Sequence, residues 1–209
     1  IAETAAHLTV FQRTANYSVP ARNGPLSAEF QQYVKNNTAE IRRIMHSTPN
    51  GHPFTISDRL ALETSPAERL AIYEAAWEKG GLQFRGTFRD LLMDKAANDT
   101  AATFLCDKIR AIVKDPKTAA MLADIDHPYA AKRPPIDTHY FETFNRVTVT
   151  LADVKATPIE AVTPAGIHTK NAEYPLDIIV FATGFDAMTG ALLRMDIRGR
   201  DGLSLADVW

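Results

Sequence analysis

Residues 8–13, LTVFQR, decide the fold: a short run of β-branched and apolar side chains closing on a polar turn, the pattern of a strand. Residues 1–7 before it read as the last turns of a helix, so the pair forms the second half of a β-α-β unit. Pro20, Gly24 and Pro25 then end the strand and lead the chain away from the sheet.

The texture changes from about residue 27 to residue 126, where the pattern is helical. Ser65-Pro66-Ala67-Glu68 is a helix start, with a capping serine, proline at the first position and an acid in the first turn. Leu70, Tyr73, Ala76 and Trp77 then recur on one face until Gly80-Gly81 stops it. A second helix is expected over residues 100–114, and a third from Asp115-Pro116 to about Ala123. That helical stretch is too long for a simple crossover and predicts an inserted subdomain. After Pro134-Pro135 the strand texture returns at residues 147–154. Residues 159–162 and 167–169 form a hairpin around Pro164-Ala165-Gly166. Residues 177–183, DIIVFAT, are continuously apolar, as expected of a parallel strand covered on both faces. The fold expected is α/β, part of a Rossmann-like domain interrupted by a helical insertion.

Composition narrows the partners. In 209 residues, 45% are hydrophobic and 23% charged, which suits a globular chain with one or two cores. The net charge of −2, from acids and bases mixed along the length, gives no footprint for nucleic acid or anionic membrane. No apolar run is long enough to span a bilayer, no signal peptide opens the chain, and cytoplasmic location is the expectation. Cys106, the one cysteine, is expected to be a buried small side chain. The histidines show no metal-ligand spacing. A strand within a few residues of Ile1 predicts a segment of a longer protein.

Three groups could carry chemistry. Arg13 and Thr14 follow the first strand, where a dinucleotide fold meets the adenosine ribose; a cation there accommodates a 2′-phosphate. Spacing alone favours an ordinary solvated arginine. Lys132-Arg133, stiffened by the following prolines, could hold a phosphate and a developing anion, though the residues by themselves favour a surface dibasic pair. Thr183-Gly184, within residues 181–186 (FATGFD), stands at a strand's carboxyl end, where cofactors bind in open sheets; the glycine also suffices to permit a turn. Neither G-x-G-x-x-G nor a P-loop occurs.

In order and spacing, residues 7–20 (HLTVFQRTANYSVP), 77–91 (WEKGGLQFRGTFRDL), 132–146 (KRPPIDTHYFETFNR) and 177–202 (DIIVFATGFDAMTGALLRMDIRGRDG) resemble the Baeyer–Villiger monooxygenases. The resemblance implies a flavoprotein with two dinucleotide domains. In it NADPH reduces FAD, the reduced flavin takes up O2, and the resulting peroxide attacks a ketone to give an ester or lactone. It implies that Arg13, Thr14 and Lys132 hold the NADPH 2′-phosphate, that Arg133 is the active-site arginine, and that Thr183 and Gly184 lie near the cofactor where the chain passes between domains. Arg133 would carry a permanent charge, which a guanidinium supplies at any working pH. It further implies NADP-binding segments at 1–22 and 132–184, a helical insertion at 23–131 and the start of an FAD domain at 185–209. The family's glycine-rich loops are absent from these residues, so the isolated chain is expected to be inactive. A flavin monooxygenase oxidising nitrogen or sulfur and a non-catalytic NADP-binding remnant are the competing readings. The K-R-P context favours attack on a carbonyl.

Overall fold

A computed structural model describes residues 1–48, 51–54, 56–184 and 189–209. The chain divides into two compact units, Ile1–Pro158 and Ile159–Trp209. Among the described residues, no helix is long and apolar enough to cross a membrane.

The first unit is organised by a parallel strand pair. β1 (Leu8–Gln12) is the strand expected from the sequence. Residues 1–7 form only a single turn, with Thr4 and Ala5 both donating to the Ile1 carbonyl, instead of the expected helix end. After β1 the chain makes β2 (Val19–Pro20) and two exposed helices, α1 (Ala28–Asn36) and α2 (Thr38–Ser47), which bury no side chain. α3 (Pro66–Lys79) starts as predicted: the Ser65 hydroxyl accepts from the Glu68 amide and Pro66 is first in the helix. It stops at Gly80, whose φ of 72° and closeness to the Pro20 carbonyl (2.5 Å from where a Cβ would sit) both demand glycine. Tyr73 and Trp77 face inward as expected. Leu70 does not: it is 52% exposed, on an open groove of about 620 Å³ whose opposite wall carries polar residues such as Asp99 and Thr103.

α4 (Lys95–Ile112) begins five residues before the predicted start because Asp94 caps it, accepting from the Ala97 amide at 2.8 Å. α5 (Pro116–Ala123) matches its prediction, capped by Asp115. The chain then returns through β3 (Ile136–Asp137), the short α6 (Tyr140–Thr143) and β4 (Val149–Asp153). β4 lies parallel to β1, from Leu8 opposite Val149 to Gln12 opposite Asp153, and β3 lies parallel to β2.

Two clusters hold this unit. Tyr73, Trp77, Phe84, Phe88, Phe104 and Tyr129 form an aromatic core, with Tyr73 stacked on Phe84 at 5.3 Å and Phe84 edge-on to Tyr129 at 5.6 Å. Fully burying each such ring contributes about 1.5–3 kcal/mol, and the ring geometry adds about 0.5–1.5 kcal/mol per pair. The second cluster, around Ile109, Leu122 and Phe141, packs on Val10, Val149 and Leu151 and so fastens the helices to the strand pair. Cys106 lies between the clusters, half-buried, its thiol pushed up by burial.

The second unit contains an antiparallel sheet. β5 (Ile159–Thr163) and β6 (Gly166–Thr169) form the expected hairpin, and β7 (Glu173–Pro175), unforeseen in the sequence, adds to β6. Gly166 has φ 147°, and a Cβ there would lie 2.0 Å from the Tyr174 carbonyl oxygen, so this close approach needs glycine. The buried strand expected at residues 177–183 is not formed. Ile178, Val180 and Phe181 are 81%, 72% and 72% exposed, and no described strand pairs with the segment. An apolar run becomes a strand only where a neighbour satisfies its backbone and layers cover its faces. Two further short helices, α7 (Gly190–Leu193) and α8 (Leu205–Val208), complete the described part.

Candidate cofactor-binding site

Arg13 is the first residue beyond β1 and is exposed; Thr14, next to it, is half-buried. Because β4 runs parallel to β1 in register, its carboxyl end lies at the same edge, where the Val154 amide donates to the Gln12 carbonyl at 3.0 Å. Ligands in α/β folds gather at such edges.

The stretch carrying Lys132 and Arg133 is fastened to the chain that leaves β1. Asn16 Nδ2 donates to the Arg133 carbonyl at 3.3 Å, the Ser18 hydroxyl donates to the Pro135 carbonyl at 3.2 Å, and the Val19 amide donates to that same carbonyl at 3.2 Å. β2 and β3 continue this zipper. The side chains of Arg13, Lys132 and Arg133 are exposed and make no ion pair among the described residues. Thus the structure brings together the backbone segments that carry Arg13-Thr14 and Lys132-Arg133. Thr183 and Gly184 are exposed residues of the second unit, and Gly184 adopts φ 81°, a conformation that favours glycine. Phe185 and Asp186 of the same motif lie outside the described residues.

The loop before Lys132 is built from residues that the sequence reading passed over. Asn98, buried in α4, donates to the Leu91 and Tyr129 carbonyls at 2.8 and 2.9 Å and accepts from the Tyr129 amide at 2.8 Å. Ala130 follows in the left-handed region, at φ 65°. Tyr17 donates to the His127 carbonyl at 3.0 Å and meets the His127 ring edge-on. While Asn16 Nδ2 donates to the Arg133 carbonyl, its Oδ1 lies 3.0 Å from His127 Nε2. His127 Nδ1 lies 3.3 Å from Asp126, whose other oxygen is 3.3 Å from Lys155 Nζ. Hydrogen bonds from His127 and Lys155, and more weakly the charges of Lys155 and Lys132, hold the Asp126 carboxyl below the usual carboxylate range. No group of three or more histidine, cysteine or acidic side chains that could hold a metal occurs among the described residues.

The edge therefore carries three exposed cations, Arg13, Lys132 and Arg133, and the hydroxyl-bearing Thr14 on segments tied together by hydrogen bonds, residue types suited to a phosphate. No glycine-rich phosphate loop occurs in the sequence.

In fold this is a mixed α/β chain of the kind found in flavin- and nicotinamide-dependent monooxygenases. A steroid monooxygenase bound to NADP superposes over 100% of this chain and 40% of its own, with a TM-score of 0.94 and 48% identity. A complex of the monooxygenase OTEMO with FAD and NADP matches at TM-score 0.94 and 44% identity, over 100% of this chain and 39% of its own. No protein-family model matches the chain. In sequence it is 45% identical, over its whole length and 38% of the relative's, to a Baeyer–Villiger monooxygenase of Pseudooceanicola batsensis. Over its whole length the chain is similar to Baeyer–Villiger monooxygenases, as its motifs led us to expect. A phenazine N-monooxygenase of Lysobacter antibioticus is also 40% identical, over 98% of this chain and 38% of its own. The chain spans about two fifths of the length of these relatives.

Proposed function

We propose that this chain supplies the NADPH-binding part of a Baeyer–Villiger monooxygenase, with residues 1–22 and 132–184 forming a Rossmann-like domain around the helical insertion 23–131. Residues 185–209 lead toward an FAD-binding domain. The whole protein would use FAD, NADPH and O2 to insert one oxygen atom beside a ketone carbonyl, giving an ester or lactone. Its setting would be the cytoplasm, in keeping with a single unpaired thiol. The observation that carries this reading is the parallel strand edge where Arg13 and Thr14 stand, with the Lys132-Arg133 segment tied to the same chain by Asn16.

In this reading Arg13, Thr14 and Lys132 hold the cofactor's 2′-phosphate through charge and hydrogen bonds. Arg133 faces the reacting centre and supplies permanent positive charge where anionic oxygen develops. Thr183 and Gly184 shape the backbone beside the nicotinamide cofactor. Bound FAD would supply the two-electron relay to O2. No phosphate cradle for FAD exists among these residues, so flavin binding falls to other residues of the protein, and the 209 residues alone are expected to be inactive.

The test is a ketone-dependent NADPH oxidation assay on the full-length protein with lactone analysis. Lactone formed from a cyclic ketone, with a strong preference for NADPH that Arg13→Ala abolishes, supports the reading; NADPH consumption with no oxygenated product overturns it. The likeness to the phenazine N-monooxygenase favours one second reading, oxidation at nitrogen. Preferential N-oxide formation from a nitrogen heteroaromatic would establish that alternative.

A further inference from the structure

Lys155 stands two residues beyond β4, at the edge where Arg13 stands one residue beyond β1. Its backbone is pinned, with its own amide and that of Ala156 both donating to Asp153 Oδ1 at 2.8 and 3.1 Å. Its ammonium reaches back along the edge to Asp126, 29 residues earlier in sequence. Asp126 in turn contacts His127, whose ring is held by Asn16, three residues after Arg13. One carboxylate thus sits among Lys155, His127 and the field of Lys132.

We propose that Lys155 is a further cation for the cofactor's 2′-phosphate, and that Asp126 is the internal counter-ion from which the arriving phosphate takes it. The assignment rests on the NADPH reading of this edge. Both partners of the pair are more than half exposed, at 63% and 51%, and an exposed ammonium–carboxylate pair contributes little, so it exchanges readily. A phosphomonoester dianion offers more charge and three acceptor oxygens, which makes it the stronger partner. Asp126 retains His127 when Lys155 turns away, so the loop that carries Arg133 keeps its anchor. Asp126 also acts for selectivity: its negative charge opposes any phosphate that does not recruit Lys155, while a cofactor with a free 2′-hydroxyl gains nothing by breaking the pair.

Titration calorimetry of NADP+ and NAD+ into the full-length protein tests this. Lys155→Met should weaken NADP+ about tenfold, the loss of one charge-assisted hydrogen bond, and leave NAD+ within about twofold. Lys155→Arg should restore NADP+ affinity. Asp126→Asn should tighten NADP+ severalfold without changing NAD+. Equal weakening of both cofactors by Lys155→Met, or no change in either, overturns the proposal. If Arg13→Ala removes the NADP+ preference while Lys155→Met does nothing, the NADPH reading stands and the Lys155 assignment alone falls. A wild-type protein with no preference for NADP+ overturns both.

Discussion

The side-chain amide of Asn98 and the backbone of Tyr129 bind each other in both directions, Nδ2 donating to the Tyr129 carbonyl at 2.9 Å and Oδ1 accepting from the Tyr129 amide at 2.8 Å. The pair is buried and spans 31 residues, so a side chain of α4 fixes the start of the loop that ends in Lys132 and Arg133. Asn98→Ala strands the Tyr129 amide and carbonyl and the Leu91 carbonyl without partners. Each unsatisfied buried group costs about 1–3 kcal/mol, so the variant should lose at least about 2 kcal/mol of unfolding free energy. Urea unfolding followed by fluorescence reads this directly. A loss below about 0.5 kcal/mol would show that the loop is held from elsewhere.

Ala130, next along that loop, adopts φ 65°, a conformation that costs an L-residue about 1–2 kcal/mol. Glycine removes the strain but adds about 0.4–1 kcal/mol of unfolded-chain entropy. Ala130→Gly should therefore stabilise the protein by about 0.5–1 kcal/mol. A melting temperature that falls instead would mean the Ala130 methyl packs more usefully than its strain costs.

Reading of the sequence succeeded where structure follows from neighbours in the chain and failed where it depends on distant partners. Ser65-Pro66 and Asp115-Pro116 announce α3 and α5 because capping and proline act within one turn. The Pro164-Ala165-Gly166 turn announces the hairpin for the same local reason. Residues 177–183 have a buried strand's composition, but a ladder needs a neighbour, and none is provided among the described residues. The exposed cations were legible because strand ends and prolines flag their positions. Asn16, His127 and Lys155 were not, since Asn16 meets His127 across 111 residues and Lys155 meets Asp126 across 29. Asn98 is one polar residue on an apolar helix face, and nothing nearby in sequence reveals that Tyr129 waits opposite.

Tyr17 gives the same unit a limit in alkali. Burial first, then the negative charges of Cys106 and Asp99, push its hydroxyl from 10.0 up to about 12. Tyr129 and Tyr73 are raised by burial as well. A raised folded value means that the stabilising neutral form is fully present below pH 10.0 and is lost as pH rises through about 12. The phenolate could no longer donate to the His127 carbonyl. Stability measured in denaturant should therefore be flat below pH 10.0 with respect to this group and fall steeply toward pH 12, less steeply in Tyr17→Phe. Equal slopes in the two proteins would assign the alkaline transition to the other buried tyrosines.

Arg133 tests the reaction itself. Its carbonyl is held by Asn16 and its neighbour Pro134 is buried, so the backbone stays in place when the side chain changes. Arg133→Ala should leave folding and NADP+ affinity nearly unchanged, because the phosphate is assigned to Arg13, Thr14 and Lys132. Loss of one preorganised positive group toward a developing oxyanion should lower kcat about 10²–10³-fold. Arg133→Lys should recover only part of it, since an ammonium keeps the charge but not the planar fork of donors. Steady-state turnover of a cyclic ketone by the full-length protein, with KM for NADPH measured alongside, separates the outcomes. A fall in kcat with KM for NADPH held places Arg133 at the reacting centre. A rise in that KM with kcat intact would move it to the cofactor phosphate and leave the oxygen-transfer step without an assigned cation in this chain.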